Sequence, residues 1–204
     1  MSDVIWDSET KRDDLSRLYK IIFSKIPHAE KIDSLNELSR IATEGSLAAA
    51  IYIASYYDAG KKVEFKGAAL RWLKIAASMG SRAAAFRMAV AQIESTTDRN
   101  EAECSLRKLS EAGYLPAKFR LASYLYLRNP KANKTECLNL LRSASAGGHV
   151  FAKRELGRIT MISPARPLDV FIGFSIILSS IISFLPILIK LAKGDNSSDE
   201  KLYG

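Results

Sequence analysis

Four glycines at a nearly constant spacing constrain this sequence more than any other feature. Gly45, Gly80, Gly113 and Gly148 recur at intervals of 35, 33 and 35 residues. A period of this length is typical of proteins built from two-helix repeats. We therefore expect an array of similar helical units, each ending near one of these glycines.

Residues at fixed distances from the glycines show the same repeat. The fourth residue after each glycine is always alanine, and the ninth is always tiny: Ala54, Ala89, Ala122 and Gly157. These offsets share one helix face, and small side chains there let a second helix approach to about 8–10 Å. The seventh residue before each glycine is leucine: Leu38, Leu73, Leu106 and Leu141. Each unit is thus predicted to contain two packed helices, with the glycine as a C-terminal cap at positive φ.

The first complete unit carries a family resemblance. Its pattern is Ala49-x-x-x-Ile53-Ala54-x-x-Tyr57-x-x-Gly60, then Ala69-x-x-Trp72-Leu73-x-x-Ala76-Ala77-x-x-Gly80. This pattern resembles the Sel1-like repeat, a relative of the TPR repeat. Later units depart from it, since Gln92 and Leu125 stand where the family has an aromatic residue and Arg128 where Gly60 stood. The resemblance implies an all-α fold, an α-solenoid of antiparallel helix pairs.

The chain divides into four predicted segments. Helical patterns at Asp14–Lys25 and Ile32–Glu44 indicate an N-terminal helical cap over residues 1–44. The repeats occupy residues 45–166, an apolar helix residues 168–192, and a short polar tail residues 193–204.

The apolar segment predicts a membrane span. Val170–Ile189 contains twenty residues without a charge, fourteen of them Val, Ile, Leu or Phe. Twenty helical residues cover about 30 Å, the thickness of a bilayer's hydrocarbon core. The alternative is a closing helix buried in the solenoid, but this segment is apolar all round, whereas a solenoid needs only one apolar stripe.

The position of the span indicates a tail-anchored protein. The N-terminal residues are rich in charge and lack the apolar region of a signal peptide. Four basic residues precede the span, at Lys153, Arg154, Arg158 and Arg166, against three after it, at Lys190, Lys193 and Lys201. This bias favours a cytoplasmic array on a single-pass anchor, with the bacterial inner membrane as the expected location.

Several functional classes are disfavoured. The sequence has no phosphate-binding loop, HExxH, GxSxG or CxxC motif, so no catalytic residue, metal site or cofactor is predicted and we expect no enzyme. His28 and His149 are interpreted as surface histidines next to turns, and Cys104 and Cys137 occupy different repeat positions, so no disulfide is expected. Residues 1–167 carry 27 Lys and Arg against 18 Asp and Glu. These basic residues are scattered, which favours acidic partners or anionic lipid over nucleic acid.

Two surfaces remain as candidate binding sites. The inner face of the solenoid is predicted to expose Tyr52, Tyr56, Arg87, Arg120 and Tyr124, residue types that recur at protein interfaces. The alternative is that these tyrosines fill gaps between repeats. In the span, Ser175, Ser179 and Ser183 lie on one helix face, where small residues allow close packing of another membrane helix. Their hydroxyls are equally able to bond their own helix's carbonyls.

These observations favour a membrane-anchored adaptor whose repeats recruit a protein partner, acidic or membrane-embedded, while residues 168–192 contact the bilayer. Sel1-like proteins of this type serve signalling, secretion, envelope or polysaccharide machinery. The rival hypothesis is a permanent structural accessory subunit of a membrane assembly, with its repeats covered by neighbouring subunits.

Overall fold

The computed structural model describes residues 11–60, 63–94, 99–162 and 167–192, and these residues are helical without any strand. The helices are α1 (Arg12–Ile22), a short 3-10 helix (His28–Lys31), α2 (Ile32–Thr43), α3 (Leu47–Ala59), α4 (Val63–Ser78), α5 (Arg82–Glu94), α6 (Arg99–Glu111), α7 (Leu115–Arg128), α8 (Pro130–Ala146), α9 (Val150–Ile162) and α10 (Asp169–Ala192). The predicted polar tail, residues 193–204, and the first ten residues of the predicted cap lie outside the described residues.

The four periodic glycines cap helices as their spacing predicts. Their φ angles are +108° at Gly45, +91° at Gly80, +83° at Gly113 and +93° at Gly148. In each case the N–H of the following residue donates to the carbonyl five residues earlier, for example from Ser46 to Ile41 at 3.2 Å. This is the hydrogen bonding of a Schellman cap, which needs a left-handed residue and therefore favours glycine.

The residue after the glycine begins the next helix. The Ser46 Oγ accepts a hydrogen bond from the Ala49 N–H at 3.2 Å, and the Ser81 Oγ accepts one from the Ala84 N–H at 3.1 Å. At these two boundaries one short sequence therefore ends a helix and caps the next one, whereas Tyr114, after Gly113, makes no side-chain cap.

The chain divides into two compact units between Ala91 and Gln92. In the first unit, α1 contacts α2 and α3, α2 contacts α3, and α3 contacts α4. In the second unit, each of α6 to α9 contacts the next helix along the chain. The predicted core positions lie inside, because Ala54, Ala89 and Ala122 are at most 1% exposed and the four repeat leucines at most 3%.

In the pair formed by α7 and α8, a small residue on the first helix faces a small residue on the second. The Cys137 Sγ of α8 lies 3.3 Å from the Ala122 carbonyl oxygen of α7. Ala69 and Ala102 occupy the position equivalent to Cys137, eleven residues before a glycine, and all three are buried. Sequence reasoning identified only one side of this contact. Cys137 thus serves as a small core residue, and burial raises the pKa of its thiol.

Candidate functional site

An aromatic cluster surrounds Tyr56 in the first unit. The Tyr56 hydroxyl and the His28 Nδ1 are 2.6 Å apart, and their rings stack at 5.8 Å between centroids. The Lys31 ammonium lies 5.4 Å from the Tyr56 ring centroid. Burial raises the pKa of the Tyr56 hydroxyl above its ordinary value, and the neighbouring Tyr57 adds to that shift. Tyr56 is therefore held in place by its neighbours and is only partly accessible.

Helix α1 contributes the outer part of this cluster. The Tyr19 ring lies 4.8 Å from that of Tyr52 and 4.6 Å from that of Phe23, and Phe23 meets Tyr56 edge-on at 6.4 Å. Tyr19 and Phe23 are 43% and 40% exposed, whereas Tyr52 and Tyr56 are half-buried. Tyr19 and Phe23, the more accessible aromatic residues of this cluster, are thus not among those predicted to be exposed on the inner face of the solenoid.

Arg87 connects two consecutive first helices. Its Nη1 donates to the Ser55 Oγ at 3.0 Å, and its Nη2 donates to the Asp58 carboxylate at 2.8 Å. The Arg87 side chain is 29% exposed. Although it was predicted as an exposed interface residue, it has hydrogen-bond partners within its own unit and is only partly accessible.

The second unit repeats this arrangement. The Arg120 guanidinium donates to the Glu94 carboxylate, again from one first helix to the preceding one. Tyr124, one turn further along α7, is half-buried, with the Arg128 guanidinium 6.0 Å from its ring centroid. Arg128 also forms an ion pair with Glu103 at 2.6 Å. Arg120 and Tyr124 are therefore near each other within this unit, and each has a partner on it.

His149 is not a surface residue, and that prediction is wrong. It is 5% exposed, its Nδ1 accepts a hydrogen bond from the Ala152 N–H at 3.1 Å, and its ring lies 4.9 Å from Phe119. It occupies the capping position that Ser46 holds in the first unit. Burial lowers the pKa of the imidazole, because the charged form would lose its hydration. His28, by contrast, is exposed as expected.

The apolar helix α10 packs against α9 through two glycines. A Cβ atom at Gly157 would lie 2.8 Å from the Gly173 carbonyl oxygen, and one at Gly173 would lie 2.7 Å from the Gly157 carbonyl oxygen. Phe151 and Phe184 meet at 6.2 Å further along the two helices. The sequence numbers run in opposite directions through these contacts, so α10 is the antiparallel second helix of the fourth pair.

A lysine on α9 bridges to the serines of α10. The Lys153 Nζ donates to the Ser179 Oγ at 2.7 Å and to the Ser183 Oγ at 3.3 Å. Ser175 is exposed and its hydroxyl donates to the Ile172 carbonyl. The serine buried at the helix contact is Ser180, at 2% exposure. Packing of another membrane helix against Ser175, Ser179 and Ser183 stays a prediction.

The opposite side of α10 is an exposed apolar surface. We call it the apolar arc; its side chains are between 50% and 72% exposed, and they are Phe171, Phe174, Leu178, Ile181, Ile182 and Leu185. The window Asp169–Pro186 has a mean hydropathy of 1.9, and 11% of it is buried. Helix α10 is therefore long and apolar enough to cross a membrane.

Charged residues of α9 lie beside the middle of α10. Lys153, Arg154 and Glu155 fall between the Phe151–Phe184 contact and the Gly157–Gly173 contact. Arg158 follows one turn later and forms an ion pair with Glu155. In the docked arrangement these charges are level with the centre of the apolar window.

Comparison with known proteins identifies the fold. No protein-family model matches the chain, and no curated protein sequence matches it. Solved structures with a similar fold include two crystal structures. One is a Sel1 repeat protein from Oxalobacter formigenes, with a TM-score of 0.58, 19% identity, and coverage of 83% of this chain and 81% of that one.

The other is a protective antigen of uropathogenic Escherichia coli strains that displays an SLR fold. The TM-score is 0.61 at 17% identity, and the match covers 92% of this chain but 42% of the antigen, so this chain spans less than half of that protein. Together with the capped helix pairs, these similarities show that the chain has the Sel1-repeat fold, an all-α solenoid of antiparallel helix pairs that ends in one long apolar helix.

Proposed function

We propose that this protein is a membrane-anchored scaffold, in which a Sel1-like repeat solenoid recruits a protein partner and α10 attaches the solenoid to a lipid bilayer. The observation that carries this proposal is the exposed apolar arc of α10. Large apolar side chains that face outward along several turns of one helix require a non-aqueous neighbour.

A bilayer fits α10 better than a soluble partner does. Val170–Ile189 carries no charge on any face, whereas a helix that only meets a protein needs one apolar stripe. Each large apolar residue near the centre of a span favours insertion by about 0.3–0.6 kcal/mol. The fourteen such residues outweigh the serines and Pro186 by about several kcal/mol.

A candidate recruiting surface on each unit is the second part of the proposal. The surface of the first unit comprises Tyr52, Tyr56 and Arg87, with Tyr19 and Phe23 of α1 beside them. The surface of the second unit comprises Arg120 and Tyr124. Aromatic and arginine side chains that are partly fixed by neighbours lose little entropy on binding, which favours their use at interfaces. The positive balance of residues 1–167 favours an acidic partner. We place the repeats in the cytoplasm, on a bacterial inner membrane.

A permanent accessory subunit of a membrane assembly is the second candidate. The serines beside Lys153 favour it, because small residues next to an apolar surface suit the close approach of a neighbouring subunit's helix. This candidate predicts that α10 meets protein as well as lipid, and that the full chain copurifies with the same subunits in fixed proportion.

Vesicle flotation of the full chain tests the membrane proposal. Leu178→Asp places a carboxylate in the apolar arc, and Leu127→Asp makes the same change at a leucine of α7 that is 83% exposed. An aspartate near the centre of a span costs about 2.5–3.5 kcal/mol, so Leu178→Asp should reduce partition into vesicles about a hundredfold. Leu127→Asp should float like the parent. Equal flotation of both variants and the parent would exclude α10 as the main tether.

Charge reversal tests the recruiting surface. Arg87→Glu sets a carboxylate against Asp58, and Arg71→Glu makes the same change on the exposed face of α4. Loss of the partly exposed ion pair should cost only about 0.2–1 kcal/mol of stability. Copurification of partners with the detergent-solubilised chain should fall about thirtyfold for Arg87→Glu, as for an interface anchor worth about 2 kcal/mol, and stay unchanged for Arg71→Glu. An equal partner yield for both variants would move the interface elsewhere.

A further inference from the structure

Helix α10 cannot cross a membrane while it remains packed on α9. Arg154 lies level with the centre of the apolar window, and Lys153 and Glu155 flank it on α9. If α10 crossed a bilayer in this arrangement, these charges would enter the hydrocarbon layer, where ionised side chains are strongly disfavoured. A spanning α10 must therefore leave α9.

We infer that α10 has two positions: docked on α9, as the second helix of the fourth pair, and inserted across the bilayer, away from α9. This inference rests on the proposed membrane function and adds a conformational step to it. In the docked position, α9 and α10 form a helix pair. In the inserted position, α9 exposes the face that α10 covered.

The contact between α9 and α10 is specific, and α10 can be released from it. It is specific because Gly157 and Gly173 fit against each other's backbone, which no larger residue could do without moving a helix. It is releasable because only 11% of the apolar window is buried, although Ile177 and Phe184 of α10 also meet α9 through their side chains. The apolar arc faces away from α9 in the docked position and is removed from water on insertion, which offsets the contacts that α10 loses.

Lys153 marks the docked position. Its Nζ reaches the Ser179 hydroxyl at 2.7 Å across the gap between the two helices. Lys118 makes the same kind of bridge inside the solenoid, from α7 to the Ser143 hydroxyl of α8, also at 2.7 Å. A chemical link of about a lysine side chain's length can replace either bridge, which provides a lock and a matched control.

The test uses the full chain with Cys104→Ser, which removes the exposed native thiol. In the anchor variant, Lys153→Cys and Ser179→Cys, a short bis-methanethiosulfonate linker joins the two cysteines and a reductant removes it. The control variant, Lys118→Cys and Ser143→Cys, is linked and reduced in the same way. A C-terminal epitope tag reports crossing, because it becomes protected from protease inside vesicles of phosphatidylcholine and phosphatidylglycerol. The locked anchor should show at least about tenfold less protected tag than after reduction, since the lock removes the inserted population. The control pair should protect the tag equally before and after reduction.

The outcomes separate this inference from the proposed function. Equal protection of the tag in locked and reduced anchor variants would refute the two positions while leaving membrane attachment intact. Flotation of every variant with no protected tag, even in the unlinked parent, would also refute them, because α10 would then attach without crossing. Absence of flotation for the unlinked parent would refute the membrane function itself. A second variant, Gly157→Ala, introduces a Cβ against α10 and should increase the protected fraction.

Discussion

Ala54→Leu tests whether the tiny residue of each first helix sets the distance between paired helices. Ala54 is 0% exposed in the centre of α3, within a core cluster that includes Leu38, Ile53 and Leu73. A leucine side chain at this position cannot reach solvent, because the position is fully buried. It must push α3 away from its neighbours or adopt a strained rotamer, which typically costs about 1–3 kcal/mol.

The size of the effect follows from the size of the chain. A protein of 204 residues loses about 2–4 °C in melting temperature per kcal/mol, so Ala54→Leu should melt about 2–12 °C below the parent. The assay is far-ultraviolet circular dichroism of the detergent-solubilised full chain during heating. Ala59→Leu, the same change at the exposed end of α3, is the matched control and should melt with the parent. A melting temperature of Ala54→Leu within about 1 °C of the Ala59→Leu control would refute the helix-spacing argument.

Three further predictions address the caps and the thiols. Gly148→Ala should destabilise the chain by about 1–2 kcal/mol in chemical denaturation, because its φ is +93°, whereas Gly67→Ala on the exposed face of α4 should stabilise it by about 0.5–1 kcal/mol. The pKa of His149 is lowered from 6.5, so its contribution to stability is complete above pH 6.5 and is lost as pH falls below it; His149→Ser should make the melting temperature less dependent on pH between about 7.5 and 5. Maleimide should label Cys104 in the folded chain and Cys137 only after unfolding, as mass spectrometry of the labelled peptides can check.

The repeat architecture could be predicted because its signals are local and periodic. A left-handed cap needs glycine, a close helix contact needs a tiny side chain, and both needs return in every unit, so Gly45 and Ala54 each have counterparts one period away. The long apolar helix could also be predicted, since length and the absence of charge are properties of a single segment.

The partners of the predicted site residues could not be read in this way. Arg87 meets Asp58, and Arg120 meets Glu94, only because successive first helices lie side by side. His149 is buried because its helix begins against Phe119, whereas the sequence shows only a histidine after a turn. Contacts between residues about thirty positions apart depend on how helices are placed, which periodicity does not report.

The positions of the helices and of their core residues could be predicted from local sequence, because those properties depend on residues within one turn or one repeat. The packing of α10 on α9 could not, because it depends on how two complete helices fit together. A helix that is apolar all round has no preferred face, so the choice depends on shape, and Gly157 and Gly173 match only when the two helices are set antiparallel. The position of α10 on α9 therefore follows from the fit of two backbones and not from hydrophobicity.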